Sequence, residues 1–569
     1  MKTFWQHYGL RGIILFCAVL VGMPLVMMIG SVVATSPQDD EVWAHILAHA
    51  LGDYMVTTLA LAAGVGSLSA VMGVACAWLV SMYRFWGSSF FKVALLLPMA
   101  MPAYIVAFVY TDMLDHGGRV ATWLNDSTGA DAGAEVWFDV RTLPMAILVM
   151  ALTLYPYVFA LVRASLVEQS FCVWQAGRTL GCGAWRNFWL VGLPLLRPAL
   201  VVAVVIVIME TLNDFGVVSA FSLPTLTSGI YHAWLNMNSL SVAVRLALLL
   251  LVLVLLILLV ERWARGNRRY HAPSGSHRQM VAEHLKGARA VVSFCFCASL
   301  VVFGFVLPFV VLLWLAAHNQ HQAFAEGFVG YGLNSLALSG SAAMGAVALG
   351  FMLAWAARPP SGWLFRSLMR LASIGYAIPG AVLAIALLLW LSAVDKAQNA
   401  GLSWLGWQGA HFLWVGSWAA LVYGYVVRFL ALPYGAVDSA LSRVTPSMEH
   451  AARTLGASAW NVMRRIHLPM MRPSLMTAGL LVFVDSMKEL PLTLLLRPFD
   501  SDTLSTWVWH YARDEAFAVS APGALLIVCV GLLPVVWLSS MISGSTAKKS
   551  GWLTNKQTAL RDTNAYAPA

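Results

Sequence analysis

Apolar runs of about 20 residues recur along this whole 569-residue chain, each long enough to cross the roughly 30 Å hydrocarbon core of a bilayer as a helix. The reading places helices near residues 10–33, 56–81, 93–112, 143–165, 197–222 and 240–261, then near 291–317, 333–357, 370–394, 411–433, 471–496 and 520–543. The expected fold is an all-α polytopic membrane protein of about twelve transmembrane helices, split six and six. With 60% hydrophobic and 11% charged residues, an ordinary soluble domain of this length is excluded. The first run is too long and too poor in small cleavage residues for a removable signal peptide, so it reads as a retained first helix.

Loop charge predicts the orientation. Residues 34–55 carry Asp39, Asp40, Glu41 and Asp53 with no Lys or Arg, and residues 112–141 carry six acids against Arg119 and Arg141. The alternate loops are basic, with Arg84 and Lys92 in one and Arg358, Arg366 and Arg370 in another. Residues 261–290 hold seven Lys/Arg against Glu261 and Glu283. Lys and Arg are retained on the cytoplasmic side, so both termini and the central linker are expected there. The net charge of +9 follows the same loop pattern and gives no reason to expect a nucleic-acid partner.

One polar segment breaks the apolar pattern twice. Gln175–Pro198 reads QAGRTLGCGAWRNFWLVGLPLLRP, and His450–Pro473 reads HAARTLGASAWNVMRRIHLPMMRP. Across 168–200 and 443–475, 12 of 33 positions are identical without a gap. Gly181 and Gly456 follow Arg-Thr-Leu, where a left-handed helix-terminating residue is expected, with Arg178 and Arg453 three residues earlier. Pro194 and Pro469 suit the start of the next helix. The same offset extends outward: Thr58-Leu59-Ala60-Leu61 resembles Ser335-Leu336-Ala337-Leu338, and Met101-Pro102 matches Ile378-Pro379. Six spans separate the copies, which makes the halves parallel repeats about an axis along the membrane normal. A single such loop would read as a plain cytoplasmic helix–turn–helix; two at equivalent positions read as docking elements.

The repeated segment resembles the EAA loop of binding-protein-dependent ABC import permeases: Glu-Ala-Ala, three residues, Gly, and a later Ile-x-Leu-Pro. Copy two supplies His450-Ala451-Ala452, Gly456 and Ile466-His467-Leu468-Pro469; copy one supplies Gln175-Ala176-Gly177, Gly181 and Val191-Gly192-Leu193-Pro194. The family's glutamate is replaced by Gln175 and His450, with Glu449 one position early. Leu97–Tyr104, Tyr110-Thr111-Asp112, Leu154–Tyr157, Glu210–Gly216 and Ser228–Trp234 are similar to the ferric-iron branch, where fused double-length permeases are common. Thiamine and aminoethylphosphonate permeases share the fused layout, and a polyamine permease of the family is a further alternative.

The resemblance implies a type I ABC importer permease in a bacterial inner membrane, working with two copies of an ABC ATPase subunit at the cytoplasmic face and a periplasmic substrate-binding protein. Membrane lipid surrounds it, and no cofactor is implied. The implied layout is a first repeat at 1–262 with its coupling loop at about 166–197, and a basic cytoplasmic linker at 263–290. A second repeat follows at 291–545 with its loop at about 441–472, then a cytoplasmic tail at 546–569. The implied ATPase-coupling residues are Gln175, Ala176, Arg178, Gly181, Leu193 and Pro194, with Glu449, His450, Ala451, Ala452, Arg453, Gly456, Leu468 and Pro469.

Inside the membrane, Glu210 pairs with Asp485 and Asp214 with Glu489 at the 275-residue offset. Each half spaces its acids i, i+4, which on a continuous helix puts both on one face. An ionised group near mid-membrane costs at least about 2.5–3.5 kcal/mol and so faces a cavity or a partner. Two readings stand: an acidic pathway suited to a hard cation, or carboxylates that pair with Lys488, Asn213 or freed backbone amides. His45 and His49 near Asp53, and His318 and His321, read as interfacial histidines before metal ligands. Of the seven cysteines, Cys17, Cys76, Cys295, Cys297 and Cys529 fall in apolar runs and Cys172 and Cys182 flank the polar repeat, with no CxxC or zinc spacing, so no resident metal is expected. No phosphate loop, HExxH or nucleophile elbow occurs, so the chain is not expected to be an enzyme. A secondary transporter also uses parallel repeats and intramembrane carboxylates, but needs no docking loop.

Overall fold

The computed structural model describes residues 2–32, 37–115, 117–128, 139–168, 179–181, 183–265, 283–318, 327–357, 362–372, 374–405, 413–442, 444–498 and 501–537. Among them nine helices are long and apolar enough to cross a membrane: Arg11–Ser31, Leu51–Met82, Leu143–Val167, Trp185–Asn213, Leu240–Ala264, Ala288–His318, Phe328–Ala356, Gly380–Trp404 and Phe517–Trp537. Two bent pairs raise the number to eleven: Ser88–Ala100 with Ala103–Trp123, bent by 85°, and Trp418–Phe429 with Ala431–Leu441, bent by 44°. The remaining expected span, 471–496, is shorter than the apolar pattern suggests. Its helix is Leu468–Met487, which stops at Lys488 and resumes as Pro491–Leu496. The expected 197–222 span breaks likewise, into Leu193–Asn213 and Gly216–Ala220. The expected tail and most of the linker lie outside the described residues.

Leu-Pro steps shape several helices. The wide π turns Phe188–Gly192, Val302–Val306 and Met463–His467 each run directly into a Leu-Pro pair: Leu193-Pro194, Leu307-Pro308 and Leu468-Pro469. A proline inside a helix cannot donate to the carbonyl four residues back and its ring presses on that carbonyl. One wide turn relieves the clash and lets the helix continue. The prolines expected to open the fifth helix of each half therefore sit inside longer, continuous helices.

The second and fourth helices of each half cross closely over a glycine. A Cβ at Gly73 would press within 2.5 Å of Val158 Cβ, and one at Gly350, its equivalent, within 2.9 Å of Pro433 Cβ. Small residues at such crossings let backbones approach where lipid offers no hydrophobic drive.

The halves exchange their first helices. The first helix packs on the second half, against Trp363–Ala372 and Gly380–Trp404, and Tyr423 Oη donates to Leu20 O at 2.6 Å. Reciprocally, the Ala288–His318 helix packs on the first half, where Tyr110 Oη donates to Phe303 O at 2.8 Å. The end of the linker is tied to the first half. Glu283–His284 pairs in parallel with Tyr83–Arg84, in the register Tyr83 to Glu283. Large apolar side chains such as Phe16, Val71, Val252, Leu259 and Met344 remain about half exposed or more, as a lipid-facing surface allows.

Candidate coupling loops and a charged cavity between the halves

The second loop opens with helix Pro446–Thr454, which has Pro at its first turn, where the missing N–H is an orphan anyway. It closes at Gly456, φ +81°, with Ala457 N donating to Ala452 O and Gly456 N to Arg453 O, both at 3.0 Å. That is the paired closure of a glycine-terminated helix. Gly181 adopts φ +79° at the matching place in the first loop. A Cβ at either glycine meets nothing within 4 Å, so backbone conformation alone demands them.

Both loops present the same apolar pair to the outside. Leu180 and Trp185 are 83% and 73% exposed, and Leu455 and Trp460 are 89% and 61% exposed. Exposed Leu and Trp beside arginines, repeated at equivalent positions, form an unpartnered surface of the kind a protein partner covers. His450, Ala451 and Arg453 are exposed and Ala452 half-buried. Leu193, Pro194, Leu468 and Pro469 follow the wide turns inside the long helices that continue from the loops. Glu449 does not project outward: its Oε1 lies 2.9 Å from Nε2 of the buried His467, across the loop. Gln175, Ala176 and Arg178 lie outside the described residues.

The four intramembrane acids all line one cavity of about 790 Å³, mouth included, between the halves. They do not share continuous helical faces as the i, i+4 spacing suggested. Glu210 and Asp485 stay helical, whereas Asp214 is in extended conformation past the end of its helix and Glu489 follows the Lys488 cap. Each of the latter two accepts from the backbone of the short helix that resumes: Val217 N to Asp214 Oδ1 at 2.7 Å, Leu492 N to Glu489 Oε1 at 3.4 Å. A carboxylate at such a break takes up orphan amides that the bilayer cannot hydrate.

The cavity is electrostatically mixed. Lys488 Nζ lies 2.9 Å from Asp485 Oδ1, and Arg428 Nε lies 3.2 Å from Glu489 Oε2 with both side chains buried. Tyr376 Oη donates to Glu210 Oε1 at 2.9 Å, and Gly380 N donates to Asn213 Oδ1 at 2.6 Å, so first-half side chains hold a second-half turn. Tyr231 Oη likewise donates across the halves to Pro491 O. Gly216 admits the Tyr104 ring, because a Cβ there would collide with Tyr104 Cβ. The structure thus brings Lys488 to Asp485 and backbone amides to Asp214 and Glu489, while Asn213 serves Gly380. Tyr104 closes the Leu97–Tyr104 stretch already noted, whereas no sequence motif marks Arg428 or Tyr376. Arg428 carried a readable signal, since an arginine inside an apolar span is costly enough to mark a site.

His45, His49 and His318 stay apart from this cavity. His45 stacks on His49 at 4.7 Å, and His318 stacks on Trp314 at 4.4 Å; His321 lies outside the described residues. Among the described residues no set of three or more His, Cys, Asp or Glu converges as a metal site.

The family described as "Binding-protein-dependent transport system inner membrane component" matches residues 69–268 and 346–542, more than half of the chain and in two copies. The chain is 26% identical over 531 residues to the "Fe(3+)-transport system permease protein FbpB 2" of Haemophilus influenzae, covering 91% of this chain and 96% of that protein. It is 23% identical over 511 residues to the "Ferric transport system permease protein FbpB" of Actinobacillus pleuropneumoniae, covering 86% and 71%. Over 166 residues it is 31% identical to the "Sulfate transport system permease protein CysT" of Escherichia coli, covering 29% and 56%. With the family model matching both halves of an all-α, multi-pass chain, this protein belongs to the inner-membrane permeases of binding-protein-dependent ABC importers.

Proposed function

We propose that this permease carries ferric iron, delivered by a periplasmic binding protein, into the cytoplasm, driven by ATP hydrolysis on a separate subunit. The observation that carries the reading is the doubled coupling loop, each copy closed by a glycine at positive φ and offering an exposed Leu/Trp pair. The ferric assignment draws on two relatives named for ferric transport that align over most of this chain. The residues proposed to meet the ATPases are those of the two loops, Gln175 to Pro194 and Glu449 to Pro469. Glu449 acts there by holding His467 rather than by touching the partner. Both loops, both termini and the basic linker face the cytoplasm in this reading, in line with the Lys/Arg-rich loops.

One chain supplies both pseudosymmetric halves of the pathway, so the assembly holds one copy of it and two ATPase copies, one under each loop. The chain itself performs no covalent chemistry. The cavity lined by Glu210, Asp214, Asp485 and Glu489 is the route, its oxygens suited to a hard cation in passage. The native mass of the complex purified through this chain, together with uptake of radiolabelled ferric iron by cells that carry or lack it, tests the proposal. One permease with two ATPases and carrier-dependent uptake are expected; two permease copies, or equal uptake in both strains, would refute it.

A further inference from the structure

The four acids of the cavity are not equivalent, although the repeat places them in equivalent positions. In the second half each is matched by a base: Asp485 by Lys488, and Glu489 by Arg428 within a sealed pair. The residues equivalent to these bases in the first half are Asn213 and Ala151, neither of them charged. Glu210 and Asp214 are half-buried, line the cavity, and have no Lys or Arg within ion-pair distance among the described residues. Their polar contacts are a phenol and a backbone amide, which leave carboxylate lone pairs unused.

A second observation points to the same place. Tyr104 is 3% exposed and lines the cavity, and its hydroxyl has no hydrogen-bond partner among the described residues. Its ring lies against Gly216, two residues past Asp214. A buried hydroxyl without a partner is a standing cost to the fold, and phenylalanine would fill the same space without it. Phenol and carboxylate oxygens are hard donors, matched to small cations of high charge.

We propose that Glu210, Asp214 and the Tyr104 hydroxyl, all from the first half, form a transient oxygen site for a hard, highly charged cation, and that Asp485 and Glu489 are neutralised structural carboxylates. The inference rests on the cavity being the transport route and narrows that route to one side. Two carboxylates and one phenol are too few to complete a coordination shell, so the site passes the ion on and does not store it.

The test uses the full-length chain in lipid nanodiscs, titrated with Tb³⁺ as a hard trivalent probe and read by sensitised luminescence, beside radiolabelled ferric uptake in cells at matched levels of inserted protein. Tyr104→Phe removes one oxygen and keeps the shape. It should insert normally and lose about tenfold in uptake and in Tb³⁺ affinity, the worth of one contact to a charged group. Glu210→Gln with Asp214→Asn keeps both hydrogen-bond acceptors and should abolish the saturable Tb³⁺ signal. Asp485→Asn with Lys488→Met removes a half-buried ion pair of no net charge and should keep the signal within about twofold. Unchanged uptake and Tb³⁺ affinity in Tyr104→Phe, an unchanged signal in the Glu210/Asp214 variant, or no saturable signal in the unaltered chain would each overturn the site. The luminescence arm needs neither binding protein nor transport. An unaltered chain that binds Tb³⁺ here yet takes up no ferric iron therefore supports the site and removes the ferric reading alone.

Discussion

Replacing Gly456 tests whether the coupling loop works through its backbone shape. The residue sits at φ +81° and a Cβ there would meet nothing within 4 Å, so a substitution introduces no clash and perturbs conformation only. An L-residue pays about 1–2 kcal/mol to occupy the left-handed region, and asparagine pays least. A β-branched residue pays more than alanine, because its side chain is crowded in that conformation. At about 1.4 kcal/mol per factor of ten, Gly456→Ala should lower the population of the closed loop about 5- to 30-fold, with the two loops adding when Gly181→Ala is combined.

The helix itself survives, because the substitution falls after its last residue, so insertion into the membrane is unaffected. What is lost is the paired closure from Ala457 N and Gly456 N, and with it the angle at which Leu455 and Trp460 are presented. The amount of ATPase recovered with the tagged permease, and uptake at equal inserted protein, should fall in the order Gly, Asn, Ala, Val. A Gly456→Val protein that retains both at the unaltered level would refute the reasoning, as would an asparagine variant as defective as the valine one.

Arg428→Met strands Glu489 in a buried site, which should cost about 3–5 kcal/mol and appear as loss of inserted protein; Glu489→Gln in the same chain should restore most of it, and equal loss in the double variant would show that the pair is not the cause. Burial first, and then the Arg497 charge, lowers the His510 pKa below its usual 6.5. As pH falls below about 6.5 the unfolded chain therefore takes up a proton that the folded one refuses, and stability drops toward acid. Protection factors across Leu504–Arg513, with the intrinsic exchange rate at each pH divided out, should fall between pH 7.5 and 5.5 in the unaltered chain and change little in His510→Gln; an equal fall in both would remove His510 as the cause.

Local chemistry was legible in the sequence and long-range packing was not. The positive φ of Gly181 and Gly456 follows from a helix that must stop after Arg-Thr-Leu, a decision made within a few residues. Most spans were readable because hydropathy is a local sum. The breaks at Asp214 and Lys488 were not, because Glu210–Asp214 and Asp485–Glu489 keep helical spacing; only the cavity they meet makes capping better than continuing. The inward turn of Glu449 depends on His467, 18 residues away, and the exchange of first helices depends on bonds such as Tyr423 to Leu20 across 403 residues. Arg428 was legible in principle, as a base inside an apolar run, but its partner 61 positions on could not be named without the fold.

The two kinds of duplication in this chain have separate physical explanations. Residues of the two loops are kept twice: Gly181 and Gly456, Leu180 and Leu455, Trp185 and Trp460, Leu193-Pro194 and Leu468-Pro469. In the proposed assembly, two identical partners docking under a pseudo-two-fold axis require that identity, since a single partner surface must fit both loops. Around the cavity, lining residues have diverged from their equivalents in the other half: Asn213 against Lys488, Met99 against Tyr376, Arg428 against Ala151 and Ala103 against Gly380, the last member of these latter two pairs lying off the lining. An ion on the axis meets both halves at once, so nothing requires each half to supply the same donors. Joining the halves in one chain lets one side carry carboxylates without a Lys or Arg partner while the other pairs its own with Lys488 and Arg428, which a homodimer of identical halves could not do. In the proposed route the cavity thereby keeps a net negative side for a cation without placing four unpaired carboxylates in the bilayer, where each would cost several kcal/mol.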